Sequence, residues 1–427
     1  MSVPLSHAAE SSGFEPEELG LCPVRWRRVC QYAERLCDEG VLPAVSLQFQ
    51  REGRTTRVES FGTQRLGNSV PVDDQTLFLI ASLTKPIIAM AMLLLVERGQ
   101  IALNQRVIEF LPMFRDAAKR SMTIRHLLSH TSGLPDMLPN NHELRKLKSP
   151  LSAFVEGTAK VALVYPVGRG TQYQSMGYAL LGPIIEAATG VPYQQFIKQE
   201  LFEPLGMTRS WLGLPESMRG EENIAEVRVP DEQDGGVDWN WNSTYWRELG
   251  APWGGMLSTA ADLSRFCAAM TGAGSAEKRS LTADNRSRTD SDSISSNDHS
   301  APHPLPLSPE YRGEGSLKTV FARSPLLSEA SIEEATTNRL EDFQGINEID
   351  RRTRAWGLGW RMNWKDHRSS LCELLPATIC GHWGATGTLF WIDRQRQTSL
   401  VLLSTQPTGE GVSPLSMLSN MAAAAIV

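Results

Sequence analysis

Ser82 and Lys85 stand three residues apart and together offer the chemistry of an activated alcohol nucleophile. Side chains three residues apart on a helix lie on the same face, one turn from each other. The ten residues from Ile87 to Val96 are all apolar, which predicts a buried helix directly behind this pair. A lysine in apolar surroundings loses proton affinity and can then accept the proton of a neighbouring hydroxyl.

The Ser-x-x-Lys spacing has little specificity by itself. Ser275 and Lys278 repeat it in a polar stretch without an apolar helix behind it. A serine that caps a helix, followed by a solvated lysine, accounts for Ser82 and Lys85 equally well when nothing else matches. The interpretation therefore depends on further residues with suitable chemistry.

Two later segments supply such residues. Tyr173 lies in a loop before a predicted helix that begins at Gly177. If cations depress its pKa from about 10, its phenolate can act as a general base. The segment from Gly381 to Gly387 is rich in glycine, so its backbone can approach a ligand and donate an N–H group to an oxyanion. Within it, His382 can orient a substrate or relay a proton. Taken singly, each residue is more often structural.

Predicted strands lie near both ends of the chain, and predicted helices lie between them. This order favours an α+β fold in which the two ends form one antiparallel sheet with flanking helices, beside a mostly helical subdomain. A cleft between the two parts is the expected place for a site. The predicted strands cover residues 44–50, 57–62, 357–363, 387–393 and 398–404, and the predicted terminal helices cover 24–39 and 414–424.

One segment interrupts this pattern because it is polar, lacks periodicity and then becomes rich in proline. Such a sequence buries too little apolar surface to become ordered, which predicts a disordered insertion. A lid or docking segment is the alternative. The predicted organisation is a flexible N-terminus (1–20), a single catalytic domain (21–427) with a sheet subdomain (21–105 and 345–427) and a helical subdomain (106–272), and the insertion (273–325).

Composition excludes several classes of function. The formal net charge of the 427 residues is −6, and no basic stripe is present, which argues against a nucleic-acid partner. The longest apolar run is too short to span a bilayer, and the first residues lack the pattern of a signal peptide, so a cytoplasmic location is expected.

Six cysteines without a C-x-x-C pair predict neither a zinc site nor a disulfide framework. Four clustered tryptophans either wall a cleft or fill a core: Trp239, Trp241, Trp246 and Trp253.

The order and spacing of these motifs resemble the serine β-lactamase-like family, which includes class C β-lactamases, D,D-peptidases and related esterases. The resemblance extends over about residues 20 to 425, apart from the insertion, and implies a β-lactamase/transpeptidase-like fold. Three further stretches support it: His126 to Leu134, Phe202 to Met207, and Gly254 to Leu263.

The resemblance implies a role for each residue of the site. Ser82 would be the acylated nucleophile, Lys85 would take its proton, and Tyr173 would act as general base toward Ser82 and then toward the leaving group. The backbone N–H groups of Ser82 and Ala385, beside Gly384, would form the oxyanion hole. No metal and no organic cofactor is expected.

Two positions depart from the family pattern. Ser175 replaces an asparagine that bonds the substrate amide, and His382 replaces the lysine of the usual Lys-Thr-Gly triplet. A mostly neutral histidine is a poor partner for the carboxylate of a β-lactam. Both changes resemble those of esterase-type members.

These observations predict a serine hydrolase that acts through an acyl-enzyme on small esters. Its expected substrate is a small-molecule ester or amide, with neither nucleic acid nor a membrane as partner. β-Lactamase or D-amino-acid peptidase activity is the alternative within the enzyme interpretation. A non-catalytic relative that binds a peptide or a cell-wall fragment is the alternative outside it.

Two other groups of residues have spacings that could form a site. His126 and His130 have a spacing that can bind a metal ion, but no glutamate follows the first histidine and no third ligand is apparent, so structural hydrogen bonding is favoured. Ser132 lies close to His130, but the chain has no Gly-x-Ser-x-Gly elbow.

Overall fold

The structure is a computed structural model that describes residues 13–65, 67, 69–229, 239–272, 326–365, 367, 370–407, 409 and 413–427. The predicted insertion at 273–325 lies outside the described residues, as do the first twelve residues of the predicted flexible N-terminus. The domain boundaries stay a prediction.

Most strands of the described chain belong to one antiparallel sheet of seven strands. Its order is β2-β1-β10-β9-β8-β7, and β3 pairs with β1 as well. A second sheet has three short strands in the order β4-β6-β5. The strands are β1 Ala44–Arg51, β2 Arg54–Thr55, β3 Glu59–Gly62, β4 Phe78–Leu79, β5 Trp211–Leu212, β6 Met256–Ser258, β7 Arg361–Met362, β8 Cys380–Gly384, β9 Thr388–Asp393 and β10 Thr398–Ser404.

Helices flank the large sheet and make up most of the middle of the chain. Short 3₁₀ turns join several of them, including Ala81–Leu83, and a π-helical turn covers Lys198–Phe202. The α-helices are α1 Pro23–Asp38, α2 Thr84–Glu97, α3 Ile124–Leu128, α4 Asn141–Lys146, α5 Leu151–Lys160, α6 Met176–Ala179, α7 Leu181–Thr189, α8 Tyr193–Ile197, α9 Glu203–Leu205, α10 Thr244–Leu249, α11 Ala260–Thr271, α12 Glu329–Thr336, α13 Glu348–Thr353 and α14 Pro414–Ala425.

The predicted pairing of the two ends of the chain is confirmed. Strand β1 pairs with the whole of β10, from Val45 opposite Ser404 to Arg51 opposite Thr398. Successive residues of β10 point to opposite faces, as the period of a strand requires. Leu400 and Leu402 pack in the core beneath α1 and α14, whereas Val401 and Leu403 pack in the larger core on the other side.

Helix α2 lies inside the larger core, where every side chain from Thr84 to Leu95 is buried. A helix that is apolar on all sides is stable only in such a place. It ends before Gly99, whose φ of 68° belongs to the left-handed region. The buried helix predicted behind Ser82 is therefore confirmed.

Several elements differ from the sequence prediction. Strand β7 is two residues long rather than seven, and helix 177–188 is divided into α6 and α7. The three-stranded sheet within the helical region was not predicted, since strands of two or three residues are too short to show an alternating pattern. None of the described helices is long and apolar enough to cross a membrane. All six cysteines are free thiols.

Candidate active site

Ser82 lies on a tight turn between β4 and α2, in the 3₁₀ segment Ala81–Leu83. Ala81 has a φ of 48°, which costs energy for a residue with a side chain. Two threonines hold the turn in place: Thr386 Oγ1 donates to Leu79 O at 2.6 Å, and Thr388 Oγ1 donates to Ile80 O at 2.8 Å. The nucleophile candidate thus sits on a strained and firmly anchored segment.

Lys85 lies one turn further on and is completely buried. Its Nζ donates to the backbone carbonyl of Trp253 at 2.7 Å and to Ser82 Oγ at 3.2 Å. Burial lowers the pKa of Lys85 from 10.5 to about 7, and the nearby Asp136 carboxylate opposes this change only in part. A neutral amine is therefore accessible beside Ser82 at neutral pH.

Tyr173 reaches the same point from a different part of the chain. Its Oη donates to Ser82 Oγ at 2.6 Å, and Lys85 Nζ lies 4.6 Å from the centroid of its ring. Three side chains whose chemistry suits acyl transfer, from Ser82, Lys85 and Tyr173, are thus within direct contact of one another.

The condition under which Tyr173 would form a phenolate, a pKa depressed by cations, is not met. Burial raises this pKa far above 10, and the Asp136 charge raises it further. Hydrogen bonds with Ser82 and Ser175 act in the opposite direction but are weaker. Tyr173 is therefore a phenol at neutral pH, because removal of its hydroxyl from water disfavours the phenolate.

The glycine-rich segment around Gly384 packs directly against the serine turn. A Cβ at Gly384 would lie 2.5 Å from Ile80 O and 3.1 Å from Ala81 Cβ, so only glycine allows this approach. Ala385 follows at the end of β8 and is half-buried. The two segments that carry the predicted oxyanion-hole amides, of Ser82 and Ala385, are therefore neighbours.

His382 and Ser175 are buried more deeply than Ser82 and Tyr173. Ser175 is 3% exposed and His382 is 1% exposed, whereas Ser82 and Tyr173 are half-buried. The His382 ring lies 5.9 Å from the ring of Tyr173. Burial and the Lys85 charge hold the pKa of His382 well below 6.5, so its imidazole is neutral. Both side chains therefore lie beside Tyr173 and are shielded from solvent.

Two charged residues near the site were missed by the sequence analysis. Asp136 Oδ1 accepts a hydrogen bond from Ser175 N at 2.9 Å. Arg361, on β7, is 1% exposed and has its guanidinium 4.0 Å from the ring of Trp364. Burial lowers the pKa of Arg361 to about 9, and Tyr173 opposes this change. Neither residue belongs to a motif, and only the tertiary structure brings them to the site.

The tryptophan cluster fills a core rather than an open cleft. Trp239, Trp246 and Trp253 are each less than 10% exposed. The ring of Trp246 packs against both of the others. The guanidinium of Arg145 lies over the first two rings at 4.6 and 4.4 Å. Trp253 connects this cluster to the site through the carbonyl that accepts from Lys85.

Comparison with known proteins agrees with the geometry. The family model described as Beta-lactamase matches residues 29–415. The chain belongs to the β-lactamase family. A penicillin-binding protein homologue from Caulobacter crescentus shares its fold, with a TM-score of 0.70 and 21% identity over 95% of this chain and 99% of that chain. The family and fold predicted from the sequence are therefore confirmed.

Curated relatives match over a shorter stretch. Esterase EstB of Burkholderia gladioli is 37% identical over 152 residues, which cover 32% of this chain and 38% of the relative. Penicillin-binding protein 4* of Bacillus subtilis (strain 168) is 35% identical over 158 residues, which cover 35% of this chain and 34% of the relative. The chain thus matches little more than a third of the length of either protein.

Proposed function

We propose that this protein is a serine hydrolase that forms an acyl-enzyme at Ser82 and acts on small, uncharged carboxylic esters. The observation that carries the proposal is the contact of Ser82 Oγ with both Lys85 Nζ, at 3.2 Å, and Tyr173 Oη, at 2.6 Å. Lys85 is buried and has a pKa of about 7, so it can take the serine proton near neutral pH.

In the proposed reaction, the free amine of Lys85 accepts the hydroxyl proton while Ser82 Oγ forms a bond to the ester carbonyl carbon. The carbonyl oxygen takes up the electron pair, and the N–H groups of Ser82 and Ala385 stabilise it. The C–O bond to the alcohol then breaks. Tyr173 Oη gives its proton to the leaving alkoxide and receives the proton held by Lys85. Water repeats these steps and releases the acid.

The charges around the site favour an uncharged substrate. Lys85 contacts the ring of Tyr173, and Arg361 interacts with Tyr173 electrostatically; both side chains are buried, at 0% and 1% exposure. His382 is neutral at the position where the family resemblance places a lysine. A substrate carboxylate would therefore meet no exposed positive charge at these residues, which argues against β-lactams and peptide C-termini. Similarity to a protein named Esterase EstB supports the same choice.

Intact-mass detection of a covalent adduct tests the proposal. A fluorophosphonate should add once to the wild-type protein and not to Ser82→Ala. Ser275→Ala is a matched control, because Ser275 belongs to the second Ser-x-x-Lys sequence of the chain. It should be labelled like the wild type. Folded wild-type protein without an adduct would overturn the proposal and favour a non-catalytic binding protein.

A substrate panel then tests the class of ester. Short-chain p-nitrophenyl esters should be hydrolysed with a higher kcat/KM than a chromogenic β-lactam. A preference for the β-lactam would keep the serine mechanism but replace the esterase assignment with β-lactamase activity.

A further inference from the structure

His130 has an unusual backbone conformation for a fully buried residue. Its φ is 61°, in the left-handed region, and its side chain is 0% exposed. Of the described non-glycine residues with positive φ, only Ala81 and His130 are buried, and both adjoin the site. Such a conformation persists only where the surrounding contacts impose it, and these positions cluster at functional sites.

The contacts of His130 hold the backbone on both sides of Tyr173. Its carbonyl oxygen accepts from Gln172 N at 3.1 Å. Its Nδ1 accepts from Gln174 N, also at 3.1 Å. The imidazole itself lies against the phenol ring, with a centroid distance of 5.0 Å. One residue thus holds the backbone N–H groups of residues 172 and 174, on either side of Tyr173, and contacts the Tyr173 ring.

These contacts require one form of the imidazole. Because a backbone N–H donates to Nδ1, that nitrogen carries a lone pair and the proton is on Nε2. Nε2 has no hydrogen-bond partner among the described residues. Packing against Trp356, at 4.2 Å between ring centroids, and against Tyr178, at 5.3 Å, keeps the ring in place. Burial and the nearby charge of Lys85 hold the pKa of His130 well below 6.5, which maintains the neutral form.

The segment around Tyr173 has a separate anchor. The side chain of Gln174 accepts from the Ser132 hydroxyl. It also donates to the carbonyls of His126 and Leu127, each at 3.3 Å. This network attaches the segment to α3 and to the loop that follows α3, without the His130 imidazole. The hydrogen bond to His130 Nδ1 is therefore not needed to anchor the segment, and it can instead set the direction of the Tyr173 hydroxyl.

We propose that His130 is the positioning residue that directs the Tyr173 hydroxyl at Ser82, through its neutral Nδ1 acceptor. This inference rests on the proposed function, in which Tyr173 transfers a proton. The 2.6 Å contact between Tyr173 Oη and Ser82 Oγ depends on where the backbone of residues 172–174 is held. A displacement of about 1 Å in such a contact can reduce a rate about a hundredfold.

Two substitutions separate the hydrogen bond from the ring. His130→Phe keeps an aromatic ring and removes the acceptor. His130→Asn places an amide oxygen near the position of Nδ1, and asparagine tolerates positive φ. The rate constant of Ser82 phosphonylation is measured per labelled site, so that unfolded protein does not contribute. We expect His130→Phe to be roughly 10 to 100 times slower than wild type, and His130→Asn to remain within about fivefold.

Other outcomes overturn the inference. Equal rates per site in all three proteins, or a loss confined to the fraction of protein that can be labelled, would show that His130 serves only the fold. A normal rate in His130→Phe with a slow His130→Asn would assign the effect to ring packing instead.

A crystal structure of His130→Phe gives a measurement that does not depend on catalysis. The Tyr173 Oη to Ser82 Oγ distance should exceed about 3.5 Å, the limit of a hydrogen bond. An unchanged distance would overturn the positioning role even if the rate fell. Wild-type protein that is never labelled would overturn the proposed function, while this distance would still decide the role of His130.

Discussion

The proton on Lys85 offers the sharpest test of the proposed chemistry. Lys85 is fully buried, and its described hydrogen bonds are donated to the Trp253 carbonyl and the Ser82 hydroxyl rather than to a carboxylate. Burial lowers its pKa to about 7. If the neutral amine is the base, the rate at Ser82 must follow the fraction of neutral amine as pH is varied.

The magnitude follows from that pKa. About half of the Lys85 side chains are neutral at pH 7 and about 1% at pH 5, so the rate should fall about 50-fold between them. With the ordinary pKa of 10.5, only about 0.03% would be neutral at pH 7. Neither Tyr173 nor His382 should add an inflection near pH 7, because burial moves the pKa of the phenol up and that of the imidazole down.

The assay is the second-order rate constant of phosphonylation at Ser82 from about pH 5 to pH 9, with intact mass as the readout. The rate should rise with a single inflection near pH 7 and then reach a plateau. Lys85→Arg is the matched control, because a guanidinium keeps a positive charge but is not deprotonated in this range. It should be slow at every pH.

Either of two results would refute this reasoning. A wild-type profile without an inflection between pH 5 and pH 9 would mean that the rate does not depend on a group with a pKa near 7. A Lys85→Arg variant that retains the same inflection would assign it to another group.

The depressed pKa of Lys85 should also make the free energy of unfolding depend on pH. The folded pKa of about 7 lies below the unfolded value of 10.5, so between these values the unfolded chain binds more protons and stability rises with pH. Between pH 6 and pH 9 this linkage raises the free energy of unfolding by about 3 kcal/mol. Urea titrations of wild type and Lys85→Met should show this pH-dependent difference, and parallel curves would contradict it.

Three further predictions concern other residues. Tyr173→Phe should slow phosphonylation of Ser82 by about 10²- to 10⁴-fold without loss of the fold, as measured by intact mass and circular dichroism. Gly384→Ala should reduce labelling at least about tenfold, since the added Cβ would lie 2.5 Å from Ile80 O and push β8 from the serine turn. Burial depresses the folded pKa of three histidines that the unfolded chain protonates below pH 6.5: His126, His130 and His382. Urea titrations should therefore show the free energy of unfolding falling by up to about 4 kcal/mol for each pH unit by which the pH is lowered below 6.5.

Local sequence patterns predicted the elements that carry the site. The apolar run after Lys85 has no polar face, and α2 is buried on all sides as that pattern requires. The short apolar run within residues 398–404 predicted β10, whose two faces pack in different cores. Strand β7 is shorter than predicted and the three-stranded sheet escaped prediction, because a strand of two residues owes its pairing to its neighbours rather than to its own sequence.

The sequence also identified the residues that meet at the site, but not their electrostatics. It named the side chains that contact Ser82, but it could not determine the direction in which the pKa of Tyr173 shifts. That direction depends on how completely the phenol is removed from water, which no spacing in the chain records. The part played by His130 was likewise hidden, since its hydrogen bonds join residues more than forty positions apart.

By itself, the sequence determined which side chains are available and the local geometry of the Ser-x-x-Lys turn, because a helix fixes contacts over three or four residues. Tertiary structure alone decided that Lys85 is excluded from water, that the pKa of Tyr173 is raised rather than lowered, and that Asp136 and Arg361 lie nearby. Burial and charge act through space, so their effect on a proton is set only when distant segments pack together.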